Sequence, residues 1–461
     1  MLHSFIPASI FFALIVLAGG AIVTVVQALK AGARREEASI VQEPVAASRF
    51  TIPVSILLPV DSNQDALPQT VRMLLGLAYP EFEVIVVAGR LEGDVLDRLS
   101  TEWGLAAKEF FYRHSIETEP VNRIYRAGVD SRLTVVDKAG AGRADALNCG
   151  VDLARYRYVC TIPDDVEVET DGLLRVMSPA LWDPAQVLAV SSHIERAPCG
   201  RYRSPTADAS AGQAGAEAPR PRLSARLTAP YQYLGSIRSL MDSRLLWQGL
   251  RGGLGPTEHV IVWRRDALVQ LGGFSKTAAD PSLDMMVRLQ SAGPERMPGH
   301  VVRSAEVFGH APPAPLGEII RRAKERQRAA AETIVETSRA RSSVAPNVRR
   351  QEGKIVAYFL TSELIAPLLQ GWAVAAMVLG ALIGWFSWYQ VVLLLVFLSF
   401  GNAIVSSAAL FLRAAAPGAP EGRDLNRLLV ISPLEFILYR PALAYARVTA
   451  LGSAIARLVS D

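Results

Sequence analysis

Two adjacent carboxylates, Asp164 and Asp165, stop the apolar run Tyr158-Val-Cys-Thr-Ile-Pro163. Paired acids just past the end of a buried strand can hold a divalent cation against a diphosphate, because hard cations prefer oxygen ligands and often share them with substrate phosphates. A solvated turn would show the same two residues, so the pair gains meaning only from the elements around it. His259 and His310 stand alone in sequence, where a histidine is more often structural than catalytic. The three cysteines, Cys149, Cys160 and Cys199, have neither paired metal-ligand spacing nor an even count. That argues against a zinc site or a disulfide framework and fits a reducing compartment.

The elements that must position Asp164 and Asp165 read as α/β. Val54–Val60 is a short branched apolar run, a helical segment follows to about Leu77, and Phe82–Val87 is a second run. Strand, helix, strand implies a right-handed parallel crossover. The pattern returns as Leu133–Val136, a helix over Ala144–Ala154, and Tyr158–Ile162. Strands apolar on both parities are covered on both faces, as in doubly wound sheets, whose ligands sit beyond the carboxyl ends of the strands. Residues 201–226, rich in Ala, Ser, Gly and Pro, cannot offset the entropy of ordering and are expected to be a flexible insertion.

Half of the 461 residues are hydrophobic and the mean hydropathy is positive, so lipid is the expected solvent for part of the chain. Residues 5–29 carry no charge over enough length to cross a hydrocarbon core of about 30 Å. They define an N-terminal membrane helix within 1–30, with a cleaved signal peptide as the alternative. Lys30, Arg34 and Arg35 follow it, which places the main domain in the cytoplasm. A basic linker, 336–354, leads to a pair of spans within 355–413 that turns at Gly384–Gln390. Beyond them, 424–461 is apolar but interrupted by Pro433, Glu435, Arg440 and Pro441. Amphipathic helices lying in the membrane interface are expected there, with a soluble helical hairpin as the competing reading. The predicted location is therefore an inner (plasma) membrane, crossed several times. With 48 basic against 44 acidic residues, no global field favours a nucleic acid partner.

With the elements in order, the chain resembles the membrane-bound family 2 glycosyltransferases, the group with cellulose, hyaluronan and poly-N-acetylglucosamine synthases and ceramide glucosyltransferases. The matching stretches are VSILLPVDSNQDALPQTVRMLLGLAYPEFEVIVV, KAGAGRADALNCGVDLARYRYVCTIPDDVEVETDGLL and VIVWRRDALVQLGGF. The resemblance implies a glycosyltransferase A-type domain over 50–335 and inverting transfer from a nucleotide-sugar donor to a lipid or glycan acceptor. It also implies roles. Asp165 would hold Mg2+ or Mn2+, and Asp164 would stand beside it. Lys138 and Arg143 would offer cations to the phosphates, while Asp145 and Asn148 would support the donor pocket.

Four positions depart from the family pattern. The acid that follows the second strand and reads the nucleobase falls at Val87-Ala88-Gly89, leaving Glu92 or Asp94 to reach back. The first acid of the DxD motif falls at Pro163. The general base of the TED motif falls at Ser282, so Asp280, or failing that Asp284, is the candidate to take the acceptor proton. The helix that closes over the donor reads Arg322-Ala-Lys-Glu325-Arg326, without its usual Trp. The second expectation is accordingly a catalytically inactive relative that scaffolds or regulates a membrane assembly with partner subunits.

Overall fold

The computed structural model describes residues 51–60, 64–109, 112–140, 142–163, 166–196, 223–245, 259–292, 296–340, 372, 376, 378–384, 388–414 and 422–460. The N-terminal segment 1–30, Asp164 and Asp165, and most of 355–387 lie outside the described residues.

The strands are β1 Val54–Val60, β2 Phe82–Gly89, β3 Leu105–Ala107, β4 Val121–Ala127, β5 Leu133–Lys138, β6 Tyr158–Thr161, β7 Glu167–Val168, β8 Val187–Arg196, β9 His259–Arg264 and β10 His300–Ala311. They form one ten-stranded sheet in the order β3-β4-β5-β2-β1-β6-β9-β8-β10-β7. The expected crossovers are present, since β1 pairs in parallel with β2 on one side and with β6 on the other, and β2 with β5. The sheet is mixed rather than wholly parallel, because β9 runs antiparallel between β6 and β8. Chain order reverses direction between β1 and β6. That makes their carboxyl ends a topological switch point, where open α/β sheets bind ligands.

Period-two alternation explains the burial of both faces. Val54, Ile56, Leu58, Val84 and Val86 join one core, whereas Leu57, Ile85, Val87, Val136 and Val159 join the other beneath the Gly142–Leu153 helix. That helix sits close to the sheet. A Cβ on Gly150 would come within 2.9 Å of the Leu57 side chain, so the glycine is required by contact.

A helix Leu223–Leu245 begins inside the segment expected to be flexible, and the helix Leu316–Ala340 runs into the expected linker. Trp388–Ala414 is helical where the second of the two expected spans falls. The 424–461 region does not bend into a hairpin: helix Gly422–Leu434 continues through a π turn, Glu435–Tyr439, into helix Arg440–Ser460. Arg440 N–H bonds to Glu435 O, a wider register just before Pro441, which has no N–H to donate. Among the described residues, Asp424–Ser453 is the one helical stretch long and apolar enough to cross a membrane by length and composition.

Glu435, an apparent interruption in the sequence, points inward. Arg238 donates to both its carboxylate oxygens at 2.7 and 3.1 Å, Asn402 donates at 3.4 Å, and Ser406 bonds the same guanidinium. A second buried pair, Arg413 to Glu195 at 2.7 and 3.0 Å, ties the 388–414 helix to β8. Buried charges tolerate this only when paired with good geometry.

Candidate functional site

The carboxyl ends of β1, β2, β5 and β6 define one edge of the sheet; Asp164 and Asp165 follow β6 in sequence but lie outside the described residues. Among the described residues, no group of three or more His, Cys, Asp or Glu side chains could hold a metal ion. The metal assignment therefore rests on those two acids, and on the fixed strand end that precedes them. Thr161, the last residue of β6, accepts a hydrogen bond from Trp263 Nε1 at 3.1 Å and donates to Ile261 O at 3.2 Å.

From Trp263 the packing leads to the loop that carries Gly272-Gly273-Phe274. The Phe274 ring meets Trp263 edge-on, with centroids 5.8 Å apart. Both backbone groups of Phe274 are held by Asn148: Phe274 N–H donates to Asn148 Oδ1 at 2.7 Å and Asn148 Nδ2 donates to Phe274 O at 2.9 Å. Asn148 thus clamps the Gly272-Gly273-Phe274 turn to the 142–153 helix. Gly273 has φ +79°, and a Cβ there would come within 2.6 Å of Asn148 Oδ1, so only glycine fits.

Lys138, the last residue of β5, turns under the same helix. Its ammonium is 1% exposed and forms an ion pair with Asp145, which is fully buried. Asp145 also accepts Glu119 N–H at 2.8 Å and lies 3.4 Å from Lys276 Nζ. Asp145 is therefore a hub between β5, the segment before β4 and the loop that follows Phe274. The Lys138 charge is engaged by Asp145. Arg143, half-exposed in the first turn of the helix, makes no ion pair among the described residues.

The loop ends at Asp280, which N-caps the helix Pro281–Ser291. One carboxylate oxygen accepts from Ser282 N–H and Leu283 N–H, both at 3.0 Å, and the cap fixes the side-chain direction. Asp284 is buried and accepts from Arg288 Nε at 2.8 Å, while Arg288 closes the glycine turn by donating to Leu271 O and Gly273 O. The two candidate bases therefore differ. Asp280 is half-exposed with its second oxygen uncapped; Asp284 serves the turn.

Several groups at the site escaped the sequence reading. Lys276 lies in a loop whose acids alone match the expected base, and Asp137 is the penultimate residue of β5, an acid near the end of an apolar strand. The buried thiols are inert: burial pushes Cys149 up to about 11 and Cys160 higher still. In the 316–340 helix, Arg322 is held by Glu318 at 2.6 Å, while Arg328 donates to Ser453 at 3.3 Å. That helix packs against the C-terminal one, with Lys324 Nζ 5.8 Å from the Tyr445 ring centroid.

His310 is not alone in the fold. Its Nε2 lies 2.8 Å from Glu169 and its Nδ1 3.7 Å from Glu195, the carboxylate gripped by Arg413. Burial would raise the Glu169 carboxyl, but the His310 hydrogen bond and the nearby Arg175 guanidinium outweigh it and bring it from 4.5 down to about 2. A carboxyl depressed on folding stabilises above its unfolded value and loses that contribution as pH falls through its folded value. Glu169→Gln is expected to remove up to about 3 kcal/mol of stability at pH 7 and progressively less from pH ~4.5 down to ~2, as read by thermal unfolding against pH. A parallel offset at all pH values would contradict the ionic role.

The sequence matches no protein-family model and no curated protein. Among solved structures, a mannosyltransferase from Pyrobaculum calidifontis in complex with GDP-Man and Mn2+ is similar at 14% identity and a TM-score of 0.52, over 94% of this chain and 99% of that one. S. aureus TarS 1–349 is similar at 12% identity and a TM-score of 0.39, over 84% and 91% of the two chains. Glucosyl-3-phosphoglycerate synthase from Mycobacterium tuberculosis is similar at 13% and 0.34, over 63% and 82%. At such identities the likeness is one of architecture. The chain has the fold of the GT-A-type glycosyltransferases.

Proposed function

We propose that this protein is a membrane-anchored, inverting glycosyltransferase that moves a sugar from a nucleotide-sugar donor to a lipid or glycan acceptor at the cytoplasmic face. The observation that carries this reading is the linkage of the two halves of the site. Asn148 and Asp145 hold the loop bearing Asp280 against the helix that follows β5, and Trp263 ties that loop to the end of β6.

In this reading Asp280 takes the proton of the acceptor hydroxyl through its uncapped oxygen. The hydroxyl oxygen bonds to the anomeric carbon, and the bond from that carbon to the diphosphate breaks on the opposite side. The electron pair leaves with the nucleoside diphosphate, toward Arg143. A divalent cation, Mg2+ or Mn2+, held by Asp165 with Asp164 beside it, would neutralise the leaving diphosphate. Asp284 and Lys138 position the turn and the helix.

The apolar helices supply the anchor. Phe400, Ile404 and Phe411 on one helix, and Val430, Leu438 and Tyr445 on the other, are exposed, while Asn402, Ser406 and Glu435 face the interior. This pattern suits helices with lipid against one side, at the interface for 424–461.

The test is nucleoside diphosphate release by the purified full chain, supplied with Mn2+ and a panel of sugar nucleotides and lipid or glycan acceptors. A second reading, a non-catalytic scaffold, is favoured by Ser282 at the position where the family resemblance calls for a carboxylate. It expects stoichiometric partner subunits on purification and no release.

A further inference from the structure

We infer that Asp137 reads the nucleobase of the donor, and that the donor is a uridine nucleotide rather than a guanosine or cytidine one. This rests on the proposed nucleotide-sugar pocket and adds its specificity. A diphosphate at the end of β6, beside the switch point, leaves the nucleoside to lie across the carboxyl ends of β1, β2 and β5. Among the described residues, few groups there can meet a base. Ala88 and Gly89 offer no polar side chain. Gln64 uses both ends of its amide on the loop after β2, donating to Arg90 O at 3.1 Å and accepting Glu92 N–H at 2.9 Å. Asp94 is exposed and paired with Arg98.

Asp137 differs from all of these. It stands opposite Ala88 in the β2–β5 register and is half-buried. Its Oδ1 accepts Leu91 N–H at 2.9 Å, which fixes the side chain, whereas Oδ2 has only a long contact, 3.4 Å, from exposed Asn122. The result is a preorganised carboxylate with one acceptor position to offer. Uracil presents a single imide N3–H between two carbonyls and matches one acceptor. Guanine presents N1–H and N2–H side by side and would call on both oxygens, one of which is engaged; cytosine presents an unprotonated N3, which a carboxylate repels.

The experiment is calorimetric titration of the full chain, with Mn2+, by UDP, CDP and GDP. UDP is expected to bind about tenfold or more tightly than the other two. Asp137→Asn keeps an amide oxygen for Leu91 N–H and turns an N–H donor toward the base. It is expected to weaken UDP by about tenfold and to move the UDP-to-CDP ratio toward CDP. Because the ratio is internal to each protein, a partly destabilised variant still reports on it. An unchanged ratio would overturn the inference, as would an equal loss for all three nucleotides, the signature of a ribose contact. No binding of any nucleotide by the unsubstituted chain would instead remove the pocket itself.

Discussion

Lys138→Met is expected to lower the unfolding free energy by about 3–5 kcal/mol, because it strands the Asp145 carboxylate in the interior with only Lys276 and the Glu119 N–H for company. Removing one partner of a buried pair costs far more than removing both. Lys138→Met combined with Asp145→Asn keeps an acceptor for Glu119 N–H and removes the uncompensated charge, so it should recover most of the loss. Thermal or denaturant unfolding of the full chain in detergent reads both. Nucleotide binding by the double variant separates structure from recognition. If Lys138 only anchors the helix, the refolded double variant binds nucleotide as the original does. Loss of binding at full stability would return Lys138 to the phosphates.

Asp280→Asn is expected to cut kcat by about 10²–10⁴-fold while leaving stability and donor KM unchanged. The separation is possible because Asn caps a helix as well as Asp does, so the bonds from Ser282 and Leu283 N–H survive while the base is lost. Asp280→Ala should add a stability loss of about 1 kcal/mol, the usual cost of a missing cap. Undiminished turnover in Asp280→Asn would mean that another group takes the acceptor proton. Asp284→Asn is the matching control. Its expected effect is on stability, through Arg288 and the glycine turn.

The central strands were legible because each is apolar on both parities, a pattern that burial on two faces imposes on β1, β2, β5 and β6. β3 and β4 were not, since β3 is three residues long and VNRIYRA, one strand in from the sheet edge, is interrupted by polar residues and carries no run. The candidate site was legible as helix, strand end and loop, but not as contacts. Nothing in the spacing of Lys138 and Asp145 says that they face each other; that follows from the helix seating Gly150 on Leu57. Asn148 finds Phe274 126 residues away. Pro433 and Pro441 suggested broken helices, yet the π turn between them keeps one helical path and turns Glu435 toward Arg238. Local sequence marks where a helix changes register, whereas the partner that Glu435 meets is set by tertiary packing.

The most direct test of a diphosphate pocket at this sheet edge is nucleoside diphosphate release from UDP-sugars by the full chain with Mn2+ and acceptor, compared with Asp165→Ala. Release by the unsubstituted chain that disappears in Asp165→Ala is the expected result. Release that persists at the same rate in Asp165→Ala, or none from the unsubstituted chain with any donor, would contradict it.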